Sequence, residues 1–147
     1  MSSSTKLSSS VKALCFLAET HPNPKTSKEI ADVTGINASK LRQLLSLLSK
    51  SNIVESQQGT KGGFLLCKDP NYIHLQEIYC SIEDRKAFHL NVNKSNGKNV
   101  GYHPDFNSYF LDLFGEIQLE IEDKMQQISL NNIMKNLQIT SNYKYSS

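Results

Sequence analysis

Residues 26–48 read TSKEIADVTGINASKLRQLLSLL, and the spacing within this stretch decides the fold. Thr26 or Ser27 can open a helix, because a short side-chain oxygen accepts from amides that the first turn leaves unpaired. Gly35 takes the left-handed conformation that stops such a helix. Asn37 caps a second helix, whose Leu41, Leu44, Leu45 and Leu48 share one face at i, i+3, i+4 and i+7. Two helices that cross closely need a small residue in the first, a glycine at the turn and an apolar plug entering the second. Ala31, Gly35 and Leu41 meet those needs at steps of four and six residues, with Ile30, Ile36, Leu44 and Leu45 around them. The stretch reads as a helix-turn-helix.

With the leucines turned inward, the opposite stripe of the second helix holds Ser39, Gln43, Ser46 and Lys50, flanked by Lys40 and Arg42. Arginine can bridge two acceptors on guanine or bind phosphate, glutamine can pair with adenine through two bonds, and serine serves either role. A merely solvated helix face has the same composition, so the following segment carries the distinction. Ile53–Ser56 and Phe64–Cys67 read as two short strands around a glycine-rich turn. That turn, Gln57 to Gly63, gathers amides, a hydroxyl, a cation and unhindered backbone, the chemistry that a wing laid along phosphates requires. The candidate DNA-contact set is Ser27, Lys28, Ser39, Lys40, Arg42, Gln43, Ser46, Lys50, Gln58, Thr60, Lys61 and Gly62.

Charge supports this placement. The 147 residues carry a net charge of only +2, but residues 25–68 hold seven Lys/Arg against three Asp/Glu. Double-stranded DNA is the expected partner, with an affinity that falls steeply as salt rises.

Outward from this centre, Leu7, Val11, Leu14, Cys15 and Ala18 predict a first helix over Leu7–Glu19, ended by His21-Pro22-Asn23-Pro24. Leu75, Ile78, Tyr79 and Ile82 share a face of another helix, and Phe88–Gly101, rich in Asn, Lys, Gly and Ser, reads as a loop. From Pro104 onward Phe106, Phe110, Leu113, Ile117, Ile121, Met125 and Ile128 recur at steps of three or four, a long helix with one apolar seam. A lone helix of this length finds little surface to cover in its own chain, so Phe106, Phe110, Leu113, Ile117, Ile121 and Met125 are the expected dimer interface. The resulting fold class is mainly α with a small β-hairpin wing. Its expected organisation is a winged helix-turn-helix over 1–86, a loop over 87–103, a dimerisation helix region over 104–139 and a flexible tail over 140–147.

Other classes fit poorly. Hydrophobic residues at 38% and charged residues at 20% describe a globular chain. No apolar run approaches a membrane span and the polar start lacks a signal core, so a cytoplasmic protein is expected. There is no phosphate loop, zinc motif or nucleophile elbow, and the four His are scattered, which argues against an enzyme. A winged helix used for protein–protein contact is the alternative reading. Cys15, Cys67 and Cys80 are odd in number and widely spaced, unlike a disulfide framework or zinc site.

The residues resemble the Rrf2 family of bacterial transcription regulators. The likeness lies in Lys6-Leu7, the Ser27–Gly35 helix, Leu41–Leu48 and above all Gly59-Thr60-Lys61-Gly62-Gly63-Phe64-Leu65-Leu66, followed by Pro70, Ile73, Leu75, Ile78, Tyr79, Ile82 and Glu83. It implies a homodimeric repressor whose two recognition helices read a pseudo-palindromic operator. Several members hold an iron–sulfur cluster on three cysteines before the long helix. Phe88–Asp105 contains no cysteine, so no cluster and no metal is expected here; His89 and His103 make a poor site. For a signal, Cys80 lies off the apolar face of its helix and is the candidate sensor thiol. A small-molecule pocket between Tyr79, Phe88, Tyr102, His103 and Phe106 is the other possibility.

Overall fold

The computed structural model describes residues 2–83 and 102–144. Helix α1 (Ser3–Thr20) precedes α2 (Ser27–Thr34) and α3 (Ala38–Lys50); strands β1 (Val54–Gln57) and β2 (Gly63–Leu66) follow, then a 3-10 turn (Pro70–Tyr72) and α4 (Leu75–Ile82). Two more helices complete the described chain, α5 (Phe106–Gln126) and α6 (Leu130–Asn136). The expected loop over 88–101, with Phe88 and His89, lies outside the described residues.

Local chemistry sets the boundaries. Thr26 caps α2 in a reciprocal box: its hydroxyl accepts from the Glu29 amide at 3.1 Å, and the Glu29 carboxylate accepts from the Thr26 amide. Gly35 closes α2 at φ 75°, donating its amide to the Ala31 carbonyl. Asn37 caps α3 through bonds from the Ser39 and Lys40 amides at 3.0 and 3.1 Å.

The core joins the inner faces of α1, α3 and α4. Leu14, Leu17, Ile30, Leu41, Leu45 and Leu48 are at most 1% exposed, and each such side chain contributes roughly 1.5–3 kcal/mol by leaving water. The strands pair antiparallel, Val54 against Leu66 and Gln57 against Gly63. Lys25 adds an isolated antiparallel bridge to β2: its amide donates to the Phe64 carbonyl and Phe64 returns the bond, at 3.1 and 2.7 Å.

The C-terminal region departs from expectation. The apolar steps through Ile128 predict one uninterrupted helix and a dimerisation region to 139, yet α5 ends at Gln126 and α6 returns to the first core. Leu130 and Met134 are fully buried among the core residues. The break is made by distant backbone, since Leu75 donates to the Ile128 carbonyl at 2.8 Å and Leu130 donates to that of Ile73 at 2.7 Å. Nor does the tail fray at Asn142. Its backbone and side-chain N–H groups donate to the carbonyls of Ala18 and Glu19 at the end of α1, which α1 itself leaves unpaired, and Tyr143 stacks on His21 at 4.5 Å.

Helix α5 packs on α4 through a face centred on Gln118 and Met125, 4% and 9% exposed. At 3.6 residues per turn that face lies about a fifth of a turn from the predicted seam. Phe110, Leu113, Ile117 and Ile121 are therefore half-buried along its flank, and Phe106 is 46% exposed.

Candidate nucleic-acid interface

Burial of the four leucines fixes the orientation of α3. Ser39, Lys40, Arg42, Gln43, Ser46 and Lys50 are all exposed, and Ser39, Arg42, Gln43 and Ser46 line one shallow depression with Leu47. No acidic group among the described residues pairs with Lys40, Arg42 or Lys50, so these cations are free to meet phosphate or base edges.

Glycines shape the wing. Gly59 turns the chain at φ 105° and its carbonyl accepts from the Gly62 amide at 3.0 Å. A Cβ on Gly62 would run into the Gln57 carbonyl oxygen, and one on Gly63 would lie 2.6 Å from the Lys25 carbonyl carbon. Gln58, Thr60 and Lys61 stand exposed at the tip, while Gly62 is half-buried. The bridge between Lys25 and Phe64 ties the turn-proximal end of β2 to the segment that opens α2.

At the start of α2, Ser27 is half-buried and Lys28 is exposed but paired with Asp32 at 3.5 Å. An exposed pair of this kind is weak, so Lys28 can exchange it for a phosphate. Bonds from the Thr26 backbone and hydroxyl hold the Glu29 carboxyl below its ordinary range, which keeps a carboxylate on this edge.

The three thiols differ. Burial, and then the Glu19 carboxylate, push Cys15 up to about 11; burial and Glu55 raise Cys67. Cys80 is exposed and its sulfur accepts from the Gln76 amide at 3.3 Å. Of the aromatic pocket read from the sequence, Tyr79 is buried and Tyr102, 81% exposed, packs edge-on against His103. Sequence reading missed Lys25, whose contribution is a backbone pairing with no side-chain signature.

Recognition helix, glycine turn and hairpin wing together define the class: a winged helix-turn-helix. The Rrf2 profile, described as an iron-dependent transcriptional regulator, matches residues 3–136. YwnA of Bacillus subtilis, assigned as an HTH-type transcriptional regulator, is 31% identical over 131 residues, covering 85% of this chain and 93% of YwnA. Among solved structures, IscR of T. potens superposes with a TM-score of 0.68 at 23% identity, covering 90% of this chain and 85% of IscR. CymR, the global cysteine regulator of B. subtilis, gives 0.68 at 21%, covering 90% and 95%; both likenesses concern the fold. The chain belongs to the Rrf2 family of transcriptional regulators.

Proposed function

We propose that this chain is a homodimeric repressor that holds a pseudo-palindromic operator with α3 and the wing and releases it on a signal. The observation that carries the reading is the row of exposed Lys40, Arg42, Gln43 and Lys50, without ion-pair partners among the described residues, beside a wing anchored to the start of α2. Ser39, Gln43 and Arg42 are assigned to base edges; Lys28, Lys50, Thr60 and Lys61 are assigned to phosphates, and Gly62, its amide held by the Gly59 carbonyl, lets the wing backbone come close to them. Residues 1–86 with α6 form the DNA-binding unit. Dimerisation falls to α5, whose Phe106, Tyr109 and Leu119 are 46%, 63% and 67% exposed.

The donor set does not fit an iron–sulfur cluster, which takes chiefly cysteine thiolates. Cys15, Cys67 and Cys80 stand on separate segments, and among the described residues no three His, Cys, Asp or Glu group as metal ligands. Regulation is therefore assigned to Cys80, the exposed thiol. The test is binding to the protein's own promoter with and without diamide. Wild type loses affinity on oxidation and Cys80→Ser does not; equal loss in both removes Cys80 from the account. Absence of selective binding in any state favours a protein-interaction module instead.

A further inference from the structure

A concavity of about 680 Å³ opens along α1 at the margin of the core, within the roughly 300–1,000 Å³ common for small-molecule sites. Its long wall is the outer margin of the apolar face of α1, Leu7, Val11 and Phe16, half-buried and packed against the core. Val33 at the end of α2 and Leu137 and Ile139 after α6 face this wall, so separate elements enclose the space. Val33 and Leu137 stand 65% and 62% exposed at its lip, apolar surface that an occupant would take out of water.

Its polar groups are few and unequally placed. Ser4 and Ser8 lie toward the N-terminal end of the α1 wall, Thr34 lines the space from α2, and Lys12, midway along α1, has no acidic partner among the described residues. Glu19 stands at the other end, seven residues and about 10 Å further along the helix at 1.5 Å per residue. The Cys15 thiol in the wall is protonated near neutral pH and serves as apolar lining.

We propose that this concavity binds a small organic acid, its apolar body along α1 and its carboxylate on Lys12 and Ser8, away from Glu19. Such a ligand touches Val33, two residues before the Gly35 turn, and the segment that follows α6. It thereby links the helix-turn-helix to the C-terminal elements. Only this regulatory consequence rests on the DNA-binding reading; the site itself does not.

The test uses the full chain titrated with 8-anilinonaphthalene-1-sulfonate, then with octanoate or uncharged octanol as competitor. One saturable site per chain is expected, with octanoate displacing the dye at about tenfold lower concentration than octanol. Lys12→Gln should abolish that preference, and Leu137→Glu, on an exposed residue, should weaken both competitors. Equal competition by the two, or an unchanged preference in Lys12→Gln, overturns the proposal. So does sedimentation showing that Leu137→Glu splits a dimer, because the groove is then an interface between copies. Octanoate binding by a protein that ignores duplex DNA upholds the site while removing the repressor reading.

Discussion

Gly35 and Gly62 are required for different physical reasons, and substitution separates them. At Gly35 the backbone sits at φ 75° and a Cβ would meet open space, so the cost of Gly35→Ala is conformational alone: about 1–2 kcal/mol, read as a fall in Tm of roughly 3–6 °C. At Gly62 the Cβ collides with the Gln57 carbonyl, so the wing tip must open. Gly62→Ala should therefore weaken duplex binding by tenfold or more, on the order of 1.4 kcal/mol, while thermal stability changes less than in Gly35→Ala. Cys15 gives a pH signature. Its folded pKa of about 11 lies above the ordinary 9.0, so its contribution is intact below pH 9 and is lost as pH rises toward 11, where the unfolded thiol has already released its proton. Urea melts should show wild type losing up to about 2 kcal/mol more than Cys15→Val between pH 8 and 10.5. The Gly35 turn and the Asn37 cap were legible because their chemistry is local. Lys25 was not, since its role lies in its backbone amide and carbonyl.

Among the elements, α2, α3, α4 and the hairpin follow their sequence periodicity within a residue or two, because each buries one face against a single core. The start of α6 was hidden by the same logic. Steps of three and four run on through Ile128, while the chain is broken there by bonds to Ile73 and Leu75, fifty residues earlier in round terms and invisible to a local pattern. The seam on α5 was legible as apolar, but not its division between α4 and the exposed flank, which depends on how α5 leans. Helix α6 belongs energetically to the first core. Met134→Ala, at a fully buried position, should cost about 2–5 kcal/mol in a single cooperative transition. A separate low-stability transition, leaving residues 1–86 folded, would show instead that α6 is a detachable part of the dimerisation region.

For the whole molecule, the proposed dimer would tie α5 to the DNA surface, since two recognition helices must stand about 34 Å apart to enter successive major-groove faces. Ile117→Glu places a carboxylate on the half-buried flank of α5. Sedimentation should show the monomer, and operator affinity should fall by two orders of magnitude or more, on the order of 3 kcal/mol. The most direct measurement is fluorescence anisotropy of a duplex from the protein's own promoter against a scrambled duplex of equal length. It is made at two salt concentrations, for wild type, Gln43→Ala and Lys61→Ala. Wild type should bind its promoter selectively, with affinity weakening by orders of magnitude from 50 to 200 mM salt, roughly as counterion release requires. Gln43→Ala should lose the preference for the promoter sequence. Lys61→Ala should weaken both duplexes alike and flatten the salt slope by about one unit. Equal, salt-insensitive binding of the two duplexes, unchanged in either variant, would contradict the assignment of α3 and the wing as a DNA-reading surface.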